Sequence, residues 1–185
     1  MKLIFLAAGQ SNLQIDNTTP VCLTKYNNDK LILDVLIENF NDYGIDDINV
    51  VGGFGFLKII EKYPELNYYY NSDWKKSKSL ASFYKSNSSF NDSLIISYSD
   101  VVFKRSALKK IFDNENEIVI TFDSKWKNRY EGRTKKFLDE SEKVFKCKKS
   151  NKLRISNGIK NQDEIIIGES VGIFYIPIHM RLYPF

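Results

Sequence analysis

Leu3-Ile4-Phe5-Leu6-Ala7-Ala8-Gly9-Gln10 is the stretch that decides the fold. Six consecutive apolar residues ending at a glycine suit a strand covered on both faces, as in a parallel sheet, rather than a half-exposed strand with alternating polarity. Outward from it, residues 9–22 are mostly polar and irregular, with Pro20 near the end. Beyond the turn cluster Asn27-Asn28-Asp29, the residues Leu31, Val35, Leu36, Phe40 and Tyr43 recur at helical spacing, and Gly44 stands where a helix-ending glycine belongs. The same reading predicts a strand over 45–51 broken by Gly52-Gly53, a short helix over 56–63 stopped by Pro64, and a strand over 66–70. It continues with a helix over 79–86, a strand over 93–98 with Asp100 close behind, a helix over 104–112 and a strand over 117–122. Strands alternating with helices predict an α/β fold with a mostly parallel sheet.

After residue 135 the character changes. Residues 136–149 and 152–155 read as shorter amphipathic strands joined by turns, with Asn157-Gly158 marking a turn, and 164–167 and 171–176 as further strands. They predict a small antiparallel C-terminal extension of a mixed sheet. The expected organisation is a single domain over 1–185, with a core over 1–123 and an extension over 124–185. No internal repeat or low-complexity segment interrupts it.

The chain has 185 residues, 43% hydrophobic and 27% charged, enough for a real core and too apolar for bulk disorder. No apolar run approaches the ~20 residues of a membrane span. The run before Gly9 is too short for the apolar core of a signal peptide. A soluble, cytoplasmic protein with no membrane partner is expected. Cys22 and Cys147 are far apart, and His179 is the only histidine. That argues against a structural zinc site, a disulfide framework and a His-based catalytic triad. Charge is uneven: residues 101–160 carry 17 Lys/Arg against 8 Asp/Glu in a chain of net +4. Such a segment attracts phosphates or an acidic partner, or is a solvated face. No nucleic-acid-binding motif accompanies it, which argues against nucleic acid.

Four places could carry chemistry. The loop Leu6-Ala7-Ala8-Gly9-Gln10-Ser11 follows the first strand, and ligands of open α/β sheets bind beyond the carboxyl ends of strands. Small residues there let backbone N–H groups approach a phosphate, or simply pack under a helix. Asp100, past the fourth strand, could hold Mg²⁺ against substrate phosphates or cap the next segment. Asn71-Ser72-Asp73-Trp74, followed by Ser77 and Ser79, is a polar loop that could read a base or merely lead into a capped helix. Around Trp126, Arg129, Tyr130 and Arg133, cations beside aromatics could grip a phosphate or phosphonate, or the aromatics could serve as packing anchors.

In this order, these features resemble the nucleotidyltransferases that activate phosphorylated small molecules, the family of sugar-phosphate nucleotidyltransferases and phosphocholine cytidylyltransferases. That family opens with a strand, then Leu-Ala-Ala-Gly-x-Gly-[Ser/Thr]-Arg, then Pro-Lys. Leu6-Ala7-Ala8-Gly9-Gln10 and Pro20-Val21-Cys22-Leu23 fit, and Ser99-Asp100-Val101 is similar to the family's Gly-Asp-Val metal step. Asn71 with Ser79-Leu80-Ala81 resembles its base-reading loop, and Gly168-Glu169-Ser170-Val171-Gly172 its substrate-side strand. Asp123, Trp126 and Tyr130 are similar to the branch acting on phosphocholine and phosphonates.

The resemblance implies a three-layer, Rossmann-like nucleotidyltransferase fold. It implies Mg²⁺-dependent transfer from a nucleoside triphosphate, CTP favoured, to a small phosphorylated or phosphonate acceptor. Leu6, Ala7, Ala8, Gly9, Gln10 and Ser11 would bind the nucleotide, Asn71 and Ser79 would read the base, and Asp100 would hold Mg²⁺. Trp126, Arg129, Tyr130 and Glu169 would face the acceptor. A homodimer is a further expectation.

The departures are specific. The family's second glycine is Ser11 here, its arginine aligns with Leu13 and its lysine with Val21, and no aspartate follows Asp163. Loss of one such charge donor costs ~10²–10³ in rate. Lys25, Lys2 or Lys75 could replace the charge, Lys25 being the residue expected to act in catalysis. An alternative reading, a catalytically degenerate binding or regulatory module, rests on these departures.

Overall fold

The computed structural model describes residues 1–10, 18–77, 79–85, 92–150 and 152–181. The chain divides into two compact units, one of Met1–Val119 with the segment from Ile173 onward, the other Ile120–Gly172.

The first unit alternates β1 (Lys2–Ala7), α1 (Ile32–Asn41), β2 (Asp47–Gly52), α2 (Phe56–Lys62), β3 (Asn67–Tyr70), α3 (Ser79–Lys85), β4 (Leu94–Tyr98) and α4 (Arg105–Phe112). β2 and β4 flank β1, both parallel to it, and β3 lies parallel outside β2. Leu3, Ile4 and Phe5 of β1 are all at 0% exposure, so the apolar run is covered on both faces as its sequence demands. Phe5 meets Phe40 of α1 edge-on at 5.8 Å. Gly44 adopts φ +72 just past α1, a left-handed conformation that a side chain would strain. Order 3-2-1-4 makes the gap between β1 and β4 a switch point: the chain leaves β1 in one direction and returns on its other side. Ligands of open α/β sheets bind at such a point, outside the carboxyl ends of the strands. Residues Ile173–Ile176 pair antiparallel with the free side of β4, which makes the sheet mixed.

In the second unit, β5 (Val119–Asp123) is followed by a 3-10 turn (Trp126–Tyr130), α5 (Lys135–Glu140), β6 (Lys143–Cys147), β7 (Leu153–Ser156) and the long β8 (Glu164–Ile176). β6 is central, antiparallel to β7 and to the first part of β8. Arg154 clamps Glu164 through Nε at 2.9 Å and Nη2 at 2.6 Å, and stacks on Phe145 at 4.2 Å. Two expectations are corrected here. Residues 135–140 are helical rather than part of a strand, their last carbonyls capped by Lys143 Nζ, which donates to Leu138 O at 2.8 Å and Ser141 O at 3.2 Å. Residues 164–167 and 171–176 belong to one strand, because Gly168 does not break it: a side chain there would lie 2.4 Å from the Phe122 ring and 2.7 Å from Asp123 O of β5.

No helix among the described residues is long and apolar enough to cross a membrane.

Candidate active site

The carboxyl edge of the first unit is built by close backbone contact. Ala7 and Ala8 are buried, while Gly9 and Gln10 emerge exposed. The Phe54 N–H donates to Ala8 O at 3.0 Å, locking the turn after β1 to the turn after β2. Gly53 lies between them: a Cβ there would sit 2.8 Å from Ala8 O and 2.5 Å from Trp74 Cβ. The N–H groups of Gly9 and Gln10 have no partner among the described residues. Leu6, half-buried, gives its carbonyl to the Ser99 hydroxyl at 3.1 Å, a tie across the switch point between β1 and β4. Ser11 and Leu13 lie outside the described residues.

Asp100 follows Ser99 at this edge. Solvent reaches it, yet protein packed around its carboxyl raises the pKa by desolvation, against the pull of its own backbone N–H. Cys22, 1% exposed, lies beside it: burial, then the Asp100 charge, push the thiol up to about 12, while a hydrogen bond with Ser99 works the other way. Val21, where the resembled family has its lysine, is the residue before. Lys25 is exposed, bridged through its backbone to Leu31, and its ammonium has no ion-pair partner among the described residues. Lys2 is at the opposite end of β1, paired with Asp47 at 3.9 Å, so it cannot supply charge at the carboxyl edge.

Asn71 is at 0% exposure and organises the loop before α3. Its backbone N–H donates to Gly52 O at 2.9 Å. Its amide donates to Ser77 Oγ at 2.8 Å and Ser82 Oγ at 2.9 Å, and its Oδ1 accepts from the Asp73 N–H at 3.0 Å. Both amide hydrogens are therefore used within the protein. Ser79, half-buried, begins α3.

The second unit carries a charge cluster. Arg129 Nε reaches Asp123 Oδ2 at 3.1 Å, its Nη2 pairs with Glu169, and the Tyr130 hydroxyl donates to the other oxygen of Glu169. Burial, then the neighbouring Glu169, raise the Tyr130 pKa. Trp126 is 4% exposed and meets Tyr130 edge-on at 5.8 Å, so its ring serves as a packing anchor. Arg129 thus stands between two carboxylates, while Arg133 lies over the Tyr130 ring at 5.6 Å with no ion pair among the described residues.

No protein-family model matches the chain. It is similar to the CTP:phosphoglutamine cytidylyltransferase of Campylobacter jejuni, 29% identical over 94% of this chain and 72% of that protein. That likeness supports the resemblance to the sugar-phosphate and phosphocholine-type nucleotidyltransferases. Two solved structures share the fold of this chain. The inositol-1-phosphate CTP transferase of T. maritima has a TM-score of 0.66 at 15% identity, over 98% of this chain and 73% of its own. The CTP:phosphocholine cytidylyltransferase of Streptococcus pneumoniae has 0.54 at 16%, over 94% and 69%. The sequence reading takes Gly53 only as part of a strand break and Trp74 only within the polar loop before α3, and does not expect the two to pack together at this edge. The Gly52-Gly53 pair was the available signal, since a double glycine at a strand end marks close backbone approach as well as a break.

Proposed function

We propose that this protein is a nucleotidyltransferase that uses CTP to cytidylylate a small phosphate- or phosphonate-bearing acceptor, releasing pyrophosphate, in the cytoplasm where CTP is made. An acceptor oxygen attacks the α-phosphorus and forms a new P–O bond. The bond from the α-phosphorus to the bridging oxygen breaks, and its electron pair leaves with pyrophosphate. The observation that carries the reading is the similarity to a CTP-using enzyme over 94% of the chain.

The carboxyl edge fits this chemistry. The N–H groups of Gly9 and Gln10, without a partner among the described residues, would take phosphate oxygens, and the small residues Ala7 and Ala8 let the backbone approach them. Ser79 would stand beside the base, with Asn71 holding the loop that leads to it. No group of three His, Cys, Asp or Glu residues is placed to hold a metal among the described residues. A lone, solvent-reached carboxylate nevertheless fits Mg²⁺, which keeps several waters and binds one or two carboxylates together with substrate phosphates. Asp100 would hold the ion, which when bound supplies charge neutralisation at the triphosphate. In the second unit, the Asp123–Arg129–Glu169–Tyr130 cluster would meet the acceptor, with Arg129 fixing the carboxylates and Arg133 free for the phosphate.

Calorimetric titration with CTP, UTP, GTP, ATP and dTTP, with and without Mg²⁺, tests the reading. The expected result is selective, Mg²⁺-dependent binding of CTP, followed by pyrophosphate release with one phosphorylated acceptor. Absence of binding to every nucleotide overturns it. Val21 beside the Cys22–Asp100 contact favours a second reading, a binding module without turnover. That reading predicts CTP binding without pyrophosphate release for any acceptor.

A further inference from the structure

We propose that Lys75 is the cation that meets the nucleotide's phosphates in this chain. The inference rests on the carboxyl edge of the first unit being the nucleotide site. Transfer at the α-phosphorus builds negative charge on the departing pyrophosphate, and a fixed cation aimed at that charge is the largest contribution a protein makes to such a step. No proton needs to move for Lys75 to act, because its ammonium serves as charge and hydrogen-bond donor.

Most cations of the first unit are already committed. Lys2 pairs with Asp47, Lys30 with Glu38 at 2.6 Å, Lys85 with Asp73 at 3.2 Å and Arg105 with Asp42 at 2.6 Å, while Lys58 donates to Thr18 Oγ1 at 2.9 Å. Lys62 occupies the last turn of α2, which returns between the parallel strands β2 and β3 and so ends at the opposite edge of the sheet, and Lys109 and Lys110 occupy the last turn of α4, whose Phe112 stacks on Tyr43 just past the end of α1 at that same edge. Among the residues whose side chains are described, Lys25, Lys75, Lys76 and Lys104 remain.

Lys75 differs from the other three in being held. Its ammonium lies 5.4 Å from the centre of the Trp74 ring. Trp74 meets Phe54 edge-on at 5.5 Å and fills the space beside Gly53, where an added Cβ would also lie 2.8 Å from Ala8 O. A line of close packing thus runs from Lys75 through Trp74 and Gly53 to the turn whose next two N–H groups, those of Gly9 and Gln10, have no partner among the described residues. The loop carrying Lys75 is pinned at both ends: Asn71 ties it to Gly52 and Ser82, and the N–H groups of Lys76 and Ser77 both donate to Asp73 O at 2.9 Å. A cation fixed in advance loses little freedom when phosphate arrives. An aromatic face also lets the ammonium rest beside the site without a carboxylate that the phosphate would have to displace.

The test compares Lys75→Met, Lys75→Arg, Lys76→Met and Lys25→Met in the full chain, with CTP and cytidine affinities measured by calorimetry and folding checked by thermal melting. Lys75→Met should weaken CTP at least ~10-fold, within the range expected for losing one charge-assisted phosphate contact, and leave cytidine binding unchanged. Lys75→Arg should restore most of the affinity, and Lys76→Met should stay near wild type. Pyrophosphate release, measured with any acceptor that turns over, should fall in kcat for Lys75→Met. Unchanged CTP affinity in a folded Lys75→Met overturns the proposal and leaves the nucleotide reading intact. So does a loss that appears in Lys25→Met instead. A wild-type chain that binds no nucleotide overturns both.

Discussion

Trp74 stands so close to Gly53 that a methyl group on the glycine would lie 2.5 Å from the tryptophan Cβ and 2.8 Å from the carbonyl of Ala8. One of these neighbours is backbone and the other the root of a locked side chain, so neither yields cheaply. Gly53→Ala should destabilise the protein by about 1–3 kcal/mol, the cost of overpacking, and weaken nucleotide binding as the turn after β1 shifts. Chemical denaturation with calorimetry on the same variant checks both; an unchanged midpoint would refute the packing argument.

Arg129 is shared between Asp123 and Glu169, and Glu169 is the more enclosed carboxylate, with its side chain 13% exposed. Half of the guanidinium is open to water, so screening limits the pair's worth. A double-mutant cycle with Arg129→Met and Glu169→Gln should give a coupling of about 1 kcal/mol. The acceptor KM should rise in both variants while CTP affinity holds. A CTP affinity that falls together with acceptor binding would separate this cluster from the acceptor role.

The two thiols should react in sharply different ways. Cys22 is buried and its pKa is pushed up to about 12. Cys147 is partly exposed and held below the ordinary thiol range by hydrogen bonds from the Ser150 hydroxyl and then the Lys149 N–H. The thiolate is the nucleophile, so iodoacetamide at neutral pH should modify Cys147 at least ~10-fold faster. Peptide mapping of the native protein reads the ratio, and comparable labelling of Cys22 would contradict its burial.

Acid should find the Arg154–Glu164 clamp. Arg154, and then the Asn161 N–H, hold the Glu164 carboxyl at about 2, against 4.5 without them. Because the folded value is the lower one, the stabilisation is complete above about 4.5 and is lost as pH falls toward about 2. Glu164→Gln should lower the melting temperature at pH 7, and the gap to wild type should close in that acidic window. A gap independent of pH would mean that the pair contributes through packing alone.

The first unit was largely legible in the sequence because its signals are local. A doubly covered strand needs a continuous apolar run, and Leu3, Ile4 and Phe5 are all fully buried. The helix before Gly44 needs periodicity and a residue tolerant of positive φ, and the chain supplies both. Helix α5 was not legible: six residues show no period, and the cap on its last turn is Lys143 from the next strand. The candidate site divides the same way. Asp100 and Gly9 follow from their place after strands. The saturation of Asn71 depends on Ser77 and Ser82 folding back onto it, and the neutralisation of Arg129 on a glutamate 40 residues away in sequence. A linear reading sees a polar loop and a cation, and only the fold shows that both are already spoken for.

Strand β4 takes one neighbour, β1, from the chain before it and the other, Ile173–Ile176, from beyond the entire second unit. On a ribosome these appear in that order. At roughly 5–20 residues per second, β4 waits several seconds with its outer hydrogen-bonding edge bare, the condition that invites pairing with another chain. The nascent protein is therefore most vulnerable to aggregation between the synthesis of β4 and that of the last part of β8. A stall or premature stop in that interval would release the first unit with an open seam.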